Sequence, residues 1–112
     1  MKTFAKYTVY QINLSDKDYE NNALREIYLD TIMQPTVDAI IKAREYYKPV
    51  ADIVTDDFQG VFEVGNLGPK TKLGESIEYK AQMHSVSVGD VIVREDGVTK
   101  FVAPFGFTSV AF

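Results

Sequence analysis

The chain has 112 residues, 46% of them hydrophobic and 25% charged, with a net charge of −4, no Cys, 7 Gly and 4 Pro. This composition excludes a disordered or fibrous chain and fits one globular domain over residues 1–112, large enough to bury a core without metal or disulfide staples. Absence of Cys removes disulfides, thiolate metal sites and cysteine nucleophiles together. No apolar run reaches the length of about 18 residues that a membrane helix needs, so no membrane contact and a cytoplasmic location are expected.

Residues 4–14, FAKYTVYQINL, set Phe4, Val9 and Ile12 among Tyr and Thr, which suits a half-buried pleated surface and predicts the first strand. Ser15 offers a side-chain oxygen to the free N–H groups of a new helix, and Asp16 and Asp18 suit the positive end of its dipole. Leu24, Ile27, Tyr28 and Ile32 recur at intervals of three and four, with Asn21-Asn22 a point of interruption and Pro35 the end of the run. A second helix is expected from Thr36, with Val37, Ile40, Ile41 and Tyr47 on its stripe and Lys48-Pro49 as its stop. The apolar residues 50–54 read as a buried strand. Thr55-Asp56-Asp57 reads as the cap of a short helix in which Phe58, Val61 and Phe62 keep helical spacing and Gly65 supplies the left-handed closing residue. Gly60 fits that helix poorly, at a cost of about 1 kcal/mol.

Residues 66–74, NLGPKTKLG, form the clearest loop. Beyond it the chain is β in character. Val86 and Val88 alternate with Ser85 and Ser87, Gly89-Asp90 makes a turn, and residues 91–93 and 98–103 form a hairpin across Glu95-Asp96-Gly97. Pro104 interrupts, Phe105-Gly106-Phe107 bends the chain, and Val110 and Phe112 suit a docked terminal strand. The element order predicts an α+β fold: a single domain with a small, mostly antiparallel sheet and helices packed on one face.

Charge is placed unevenly. Residues 50–69 contain Asp52, Asp56, Asp57 and Glu63 and no Lys or Arg, which accounts for the net −4. The basic residues are scattered singly from Lys2 to Lys100 rather than gathered on one face, which argues against a nucleic-acid partner. The acids are too few to present a phosphate-like field.

His84 is the only histidine. Ser85, Ser87 and Asp90 beside it are the residue types of a hydrolytic triad, yet neighbours on a strand point to opposite faces and no G-x-S-x-G elbow exposes a nucleophile. Turn formation accounts for both serines and Asp90 more simply. H-E-x-x-H and the D-x-D-x-D-G loop are missing, and residues 65–70 fail the G-x-x-x-x-G-K-[ST] spacing, so no metal and no cofactor are expected. Asp56-Asp57 and Glu95-Asp96 sit at expected turns, where carboxylates stay solvated, and no catalytic residue is assigned. The aromatics number 7 Tyr and 7 Phe. Phe58, Phe62, Phe101, Phe105 and Phe107 suit core packing, whereas Tyr19, Tyr46, Tyr47 and Tyr79 lie near helix ends or loops, where amphipathic rings supply contact surface. Together with the acidic stretch they point to a protein-binding surface built on Asp52, Asp56, Asp57, Phe58 and Glu63.

Residues 83–93, MHSVSVGDVIV, followed by Phe101-Val102-Ala103 and Phe105-Gly106-Phe107, resemble the S-L-S-V-G-D-V-I, y-V, G-F signature of the YodL-like domain of small bacterial, mobile-element and phage proteins. The run from Asp57 to Phe62 and Asn66 look like the short helix and Asn that precede that signature in phage members. The opening YTVYQINLS is similar to small auxiliary proteins of tailed phages, cyanophages especially. Val86 stands where Leu is usual, and Ala103-Pro104-Phe105 replaces a more polar link; both bear on strand boundaries. The resemblance, over residues 83–112, implies a phage-derived, nonenzymatic domain acting in the host cell, with no catalytic residue to carry over. In physical terms Ser85 and Ser87 hold a tight entry to the sheet, Gly89 supplies an unusual backbone angle, and Gly106 lets the terminal strand pass close to a neighbour. The expected function is a phage accessory protein that binds and modulates a host protein in the host cytoplasm. The alternative is a structural or assembly role in the virion, through the aromatics or an open sheet edge. Monomer and homodimer are both compatible with the sequence.

Overall fold

Alternation of apolar residues along β1 (Ala5–Gln11) makes it the centre of the fold, with an antiparallel neighbour on each side. The computed structural model describes residues 3–68 and 74–112. After β1 the chain runs through α1 (Asp16–Glu20), α2 (Asn22–Met33), α3 (Val37–Lys42) and a 3-10 turn (Arg44–Tyr46), then returns as β2 (Lys48–Thr55). Helix α4 (Phe58–Leu67) precedes β3 (Ser76–Tyr79), β4 (Val91–Arg94), β5 (Thr99–Val102) and β6 (Phe107–Ser109). All six strands join one antiparallel sheet in the order β3-β2-β1-β4-β5-β6. The expected α+β class and antiparallel sheet are what the structure has.

The capping signals before β2 act as read, but the helix expected to run from Thr36 to Lys48-Pro49 ends at Lys42: a 3-10 turn follows at Arg44–Tyr46, Tyr47 is extended, and Lys48-Pro49 open β2 instead of stopping a helix. Ser15 and Asp18 form a reciprocal capping box on α1. Asn21 ends α1 and starts α2, its Oδ1 accepting from the amides of Ala23 and Leu24, so the interruption is a second cap. Thr36 caps α3 through the Ala39 amide.

Helices cover both faces of the sheet, not one as expected. Tyr7, Val9, Ile53, Ile92 and Val102 face α4, which answers with Phe58, Val61 and Val64. Neighbouring residues on the same strands, Val91 and Phe101, point the other way and meet Ile12, Ile40, Ala43, Tyr47 and Val110. A strand presents successive side chains to opposite faces, so the adjacent fully buried pairs Val91-Ile92 and Phe101-Val102 require cover on both sides. A register shift opposite Val9 and Tyr10 leaves Val50 of β2 without a partner on β1, so Val50 and Ile53, three residues apart, both join the α4 layer.

Three further expectations are corrected. Gly65 does not close α4; it lies inside the helix, and a Cβ there would come within 2.4 Å of Val86 Cγ2. Gly68, with φ +84, follows the helix instead, so of the expected 66–74 loop Asn66 and Leu67 are helical, while 69–73 lie outside the described residues. Residues 85–88 are not a strand. They form an irregular passage in which Val86 alone is buried, packed against the α4 layer. β3 was not signalled by its sequence, since Ser76, Glu78 and Tyr79 are all exposed.

Candidate functional site

The acidic stretch does not assemble into one surface. Asp52 sits on β2 opposite Thr8, whose hydroxyl donates to its Oδ1 at 2.7 Å, and Lys80 Nζ lies 3.2 Å from Oδ2. Burial works to raise this carboxyl, but the Thr8 and Lys80 contacts outweigh it and hold Asp52 below the ordinary value. Asp57 is the N-cap of α4, accepting from the Gly60 amide at 2.7 Å. Phe58 is core: its ring meets Tyr7 edge-on at 5.0 Å and Phe107 at 5.9 Å, with Lys100 Nζ 4.9 Å from its centroid. Glu63 is half-buried on α4, on the far side of the sheet from the Asp52 carboxylate. Of the five expected contact residues, then, one is core, one caps a helix and one is held by an ion pair. The tyrosines divide too: Tyr19 and Tyr79 are exposed, whereas Tyr47 is buried and donates its hydroxyl to the Gly89 carbonyl at 2.5 Å. Burial raises the Tyr47 phenol well above its ordinary value.

The signature residues converge on a buried polar node. Gln11, fully buried at the end of β1, donates from Nε2 to the His84 carbonyl and to Asp90 Oδ2, each at 2.9 Å, and accepts from the His84 amide at 3.2 Å. Asp90 Oδ2 also accepts from the Ser87 amide at 3.0 Å, and the Asp90 amide returns a bond to the Ser87 carbonyl. Burial pushes the Asp90 carboxyl up to about 6, against the opposing pull of the Ser87 amide, the Gln11 amide and the His84 charge. Gly89 takes φ +93 here, and a Cβ would stand 2.5 Å from the Thr31 carbonyl oxygen. The unusual angle expected of Gly89 is thus paired with a close approach to α2. Gly106, by contrast, has φ +80 and nothing within 4 Å of its Cβ position, so it serves a turn and not a close pass.

This arrangement bears on the chemistry weighed for His84. The acid of a triad bonds the imidazole. Here Asp90 Oδ2 bonds two amides, and His84 Nδ1 lies 2.9 Å from the Ser85 carbonyl oxygen. Between Thr31, Tyr47 and Asp90 there is a cavity of about 20 Å³, room for a single water. A shallower cleft of about 340 Å³ opens beside it, walled by Tyr19, Tyr28 and His84. Among the described residues no three His, Asp or Glu side chains gather as they would to hold a metal ion, and no helix is long and apolar enough to cross a membrane. Neither Gln11 nor Asn66 entered the sequence-based site. The signal for Gln11 was a lone amide inside the apolar strand YTVYQI. Asn66 ties α4 to the signature by donating to the Val86 carbonyl at 3.1 Å and accepting from its amide at 2.7 Å.

Apolar side chains left in solvent lie elsewhere. Ile32 and Met33 at the end of α2, and Val37 and Ile41 one turn apart on α3, are all exposed, Met33 by 75%. Phe105, expected in the core, is 97% exposed in the turn before β6. No family model, no curated protein and no solved structure matches this chain.

Proposed function

We propose that this chain is a noncatalytic protein-binding domain, a small phage accessory protein that engages and modulates a host protein in the host cytoplasm. The phage and host context rests on the YodL-like resemblance. The observation that supports binding is the apolar exposure around the α2–α3 turn, where Ile32, Met33, Val37 and Ile41 sit within ten residues of chain. Clustered exposed apolar side chains mark interaction sites, whereas scattered ones need no explanation. The binding surface is therefore moved from the acidic stretch to this corner. Met33→Glu combined with Ile41→Glu changes two exposed side chains and leaves the core alone. In a pull-down from host lysate with identification by mass spectrometry, a single stoichiometric partner is expected for the wild type and lost for the variant at unchanged melting temperature. Equal recovery by both proteins refutes this surface. A second reading, a structural or assembly part of the virion, is favoured by the open outer edge of β6; detection of the chain in purified virions would select it.

A further inference from the structure

We infer that two copies of this chain pair through β6 across a twofold axis, joining their six-stranded sheets into one continuous sheet. The sheet ends at β3 on one side and β6 on the other. The outward groups of β6 follow from its register. Val110 donates to the Thr99 carbonyl and Ala103 to the Gly106 carbonyl, so the backbone groups of Gly106, Thr108 and Val110 face β5. Those of Phe107 and Ser109 therefore point away from the sheet. Beyond β6 the chain leaves this edge uncovered, because Phe112 turns back onto the sheet face and packs on Tyr10 and Tyr47 at 5.8 and 5.3 Å.

The charge pattern names the occupant. A twofold axis sets an edge against a second copy of itself, with the residue on the axis facing its own counterpart, so a charge on or beside the axis meets like charge. β3 carries Glu78 and is flanked by Glu75 and Lys80, the kind of protection that keeps an edge single. Residues 103–112, APFGFTSVAF, carry no charged side chain, within a chain of net −4. An axis at Thr108 brings Phe107 of each copy opposite Ser109 of the other, and each such pair exchanges two backbone hydrogen bonds, about four in all. Both exposed Thr108 side chains then meet on the axis at the closer, non-hydrogen-bonded spacing, a favourable cross-strand pair.

The test uses the intact chain and a charge swap at Thr108. In sedimentation velocity the wild type is expected to sediment as a dimer. Thr108→Lys and Thr108→Glu are each expected to sediment as monomers with unchanged circular dichroism, because like charges meet on the axis. Mixing the two variants in equal amounts restores the dimer. Hydrogen exchange adds a readout that another interface would not move: the Phe107 and Ser109 amides gain protection as wild-type concentration rises. A wild type that stays monomeric, variants that stay dimeric, or a dimer whose Phe107 and Ser109 amides exchange freely overturns the inference.

Discussion

Replacing Asp90 by Asn tests whether the buried node is held against the preference of a carboxylate for water. The carboxyl is pushed from an ordinary 3.8 to about 6, chiefly by burial. Each pH unit of separation corresponds to about 1.36 kcal/mol, so ionised Asp90 leaves the fold about 3 kcal/mol less stable than protonated Asp90 does. The folded state binds the proton more tightly than the unfolded state. This contribution is therefore fully present below 3.8 and is lost as pH rises through about 6. Asp52 and Asp96 are held below 3.8, and their opposing contributions change only at lower pH. Urea denaturation from about pH 4.5 to about pH 7.5 therefore isolates Asp90 from them. The Asn side chain keeps an oxygen for the Gln11 and Ser87 amides and cannot ionise, so its profile lacks this fall. The difference between wild type and Asp90→Asn should move by roughly 2 kcal/mol across that range, in favour of Asn at the higher pH. Parallel profiles would show that Asp90 titrates as an ordinary carboxylate and would refute the reasoning.

Two further expectations concern how the signature is tied down. Asn66→Ala removes both bonds to Val86 and leaves a backbone donor and acceptor without their partner, at roughly 1–3 kcal/mol by denaturant titration; a loss within experimental error would show that Val86 is held by packing alone. Gly106→Ala should cost about 1–2 kcal/mol for positive φ alone. Gly89→Ala should cost clearly more, because its Cβ also meets the α2 backbone; equal losses at the two positions would remove the close approach as a cause.

The sequence was most legible where a signal acts within a few residues. Ser15, Asn21, Thr36 and Asp57 each cap a helix through an amide two or three positions along, so their roles depend on no distant contact. The Asp96-Gly97 turn likewise fixes the β4–β5 hairpin, with Arg94 and Val98 closing it. Gly65 shows the opposite case. A glycine late in a helical run reads locally as a terminator, yet what requires it is Val86, brought against α4 from twenty-one residues further on.

The expected contact residues are separated in space for the same reason. Asp52, Asp56, Asp57, Phe58 and Glu63 are close along the chain, but the Asp52 carboxylate and α4 lie on opposite sides of the sheet and Phe58 fills the core between them. What the amino-acid order determined by itself was the α+β class, the caps, the turns and the list of residues able to leave water. Tertiary structure alone decided which face each layer covers, that a lone Gln and a lone Asp share one buried node, and which apolar side chains stay in solvent. Caps and turns are local exchanges of hydrogen bonds, whereas burial and edge exposure depend on which strands become neighbours, and that is settled only when the whole sheet closes on its helices.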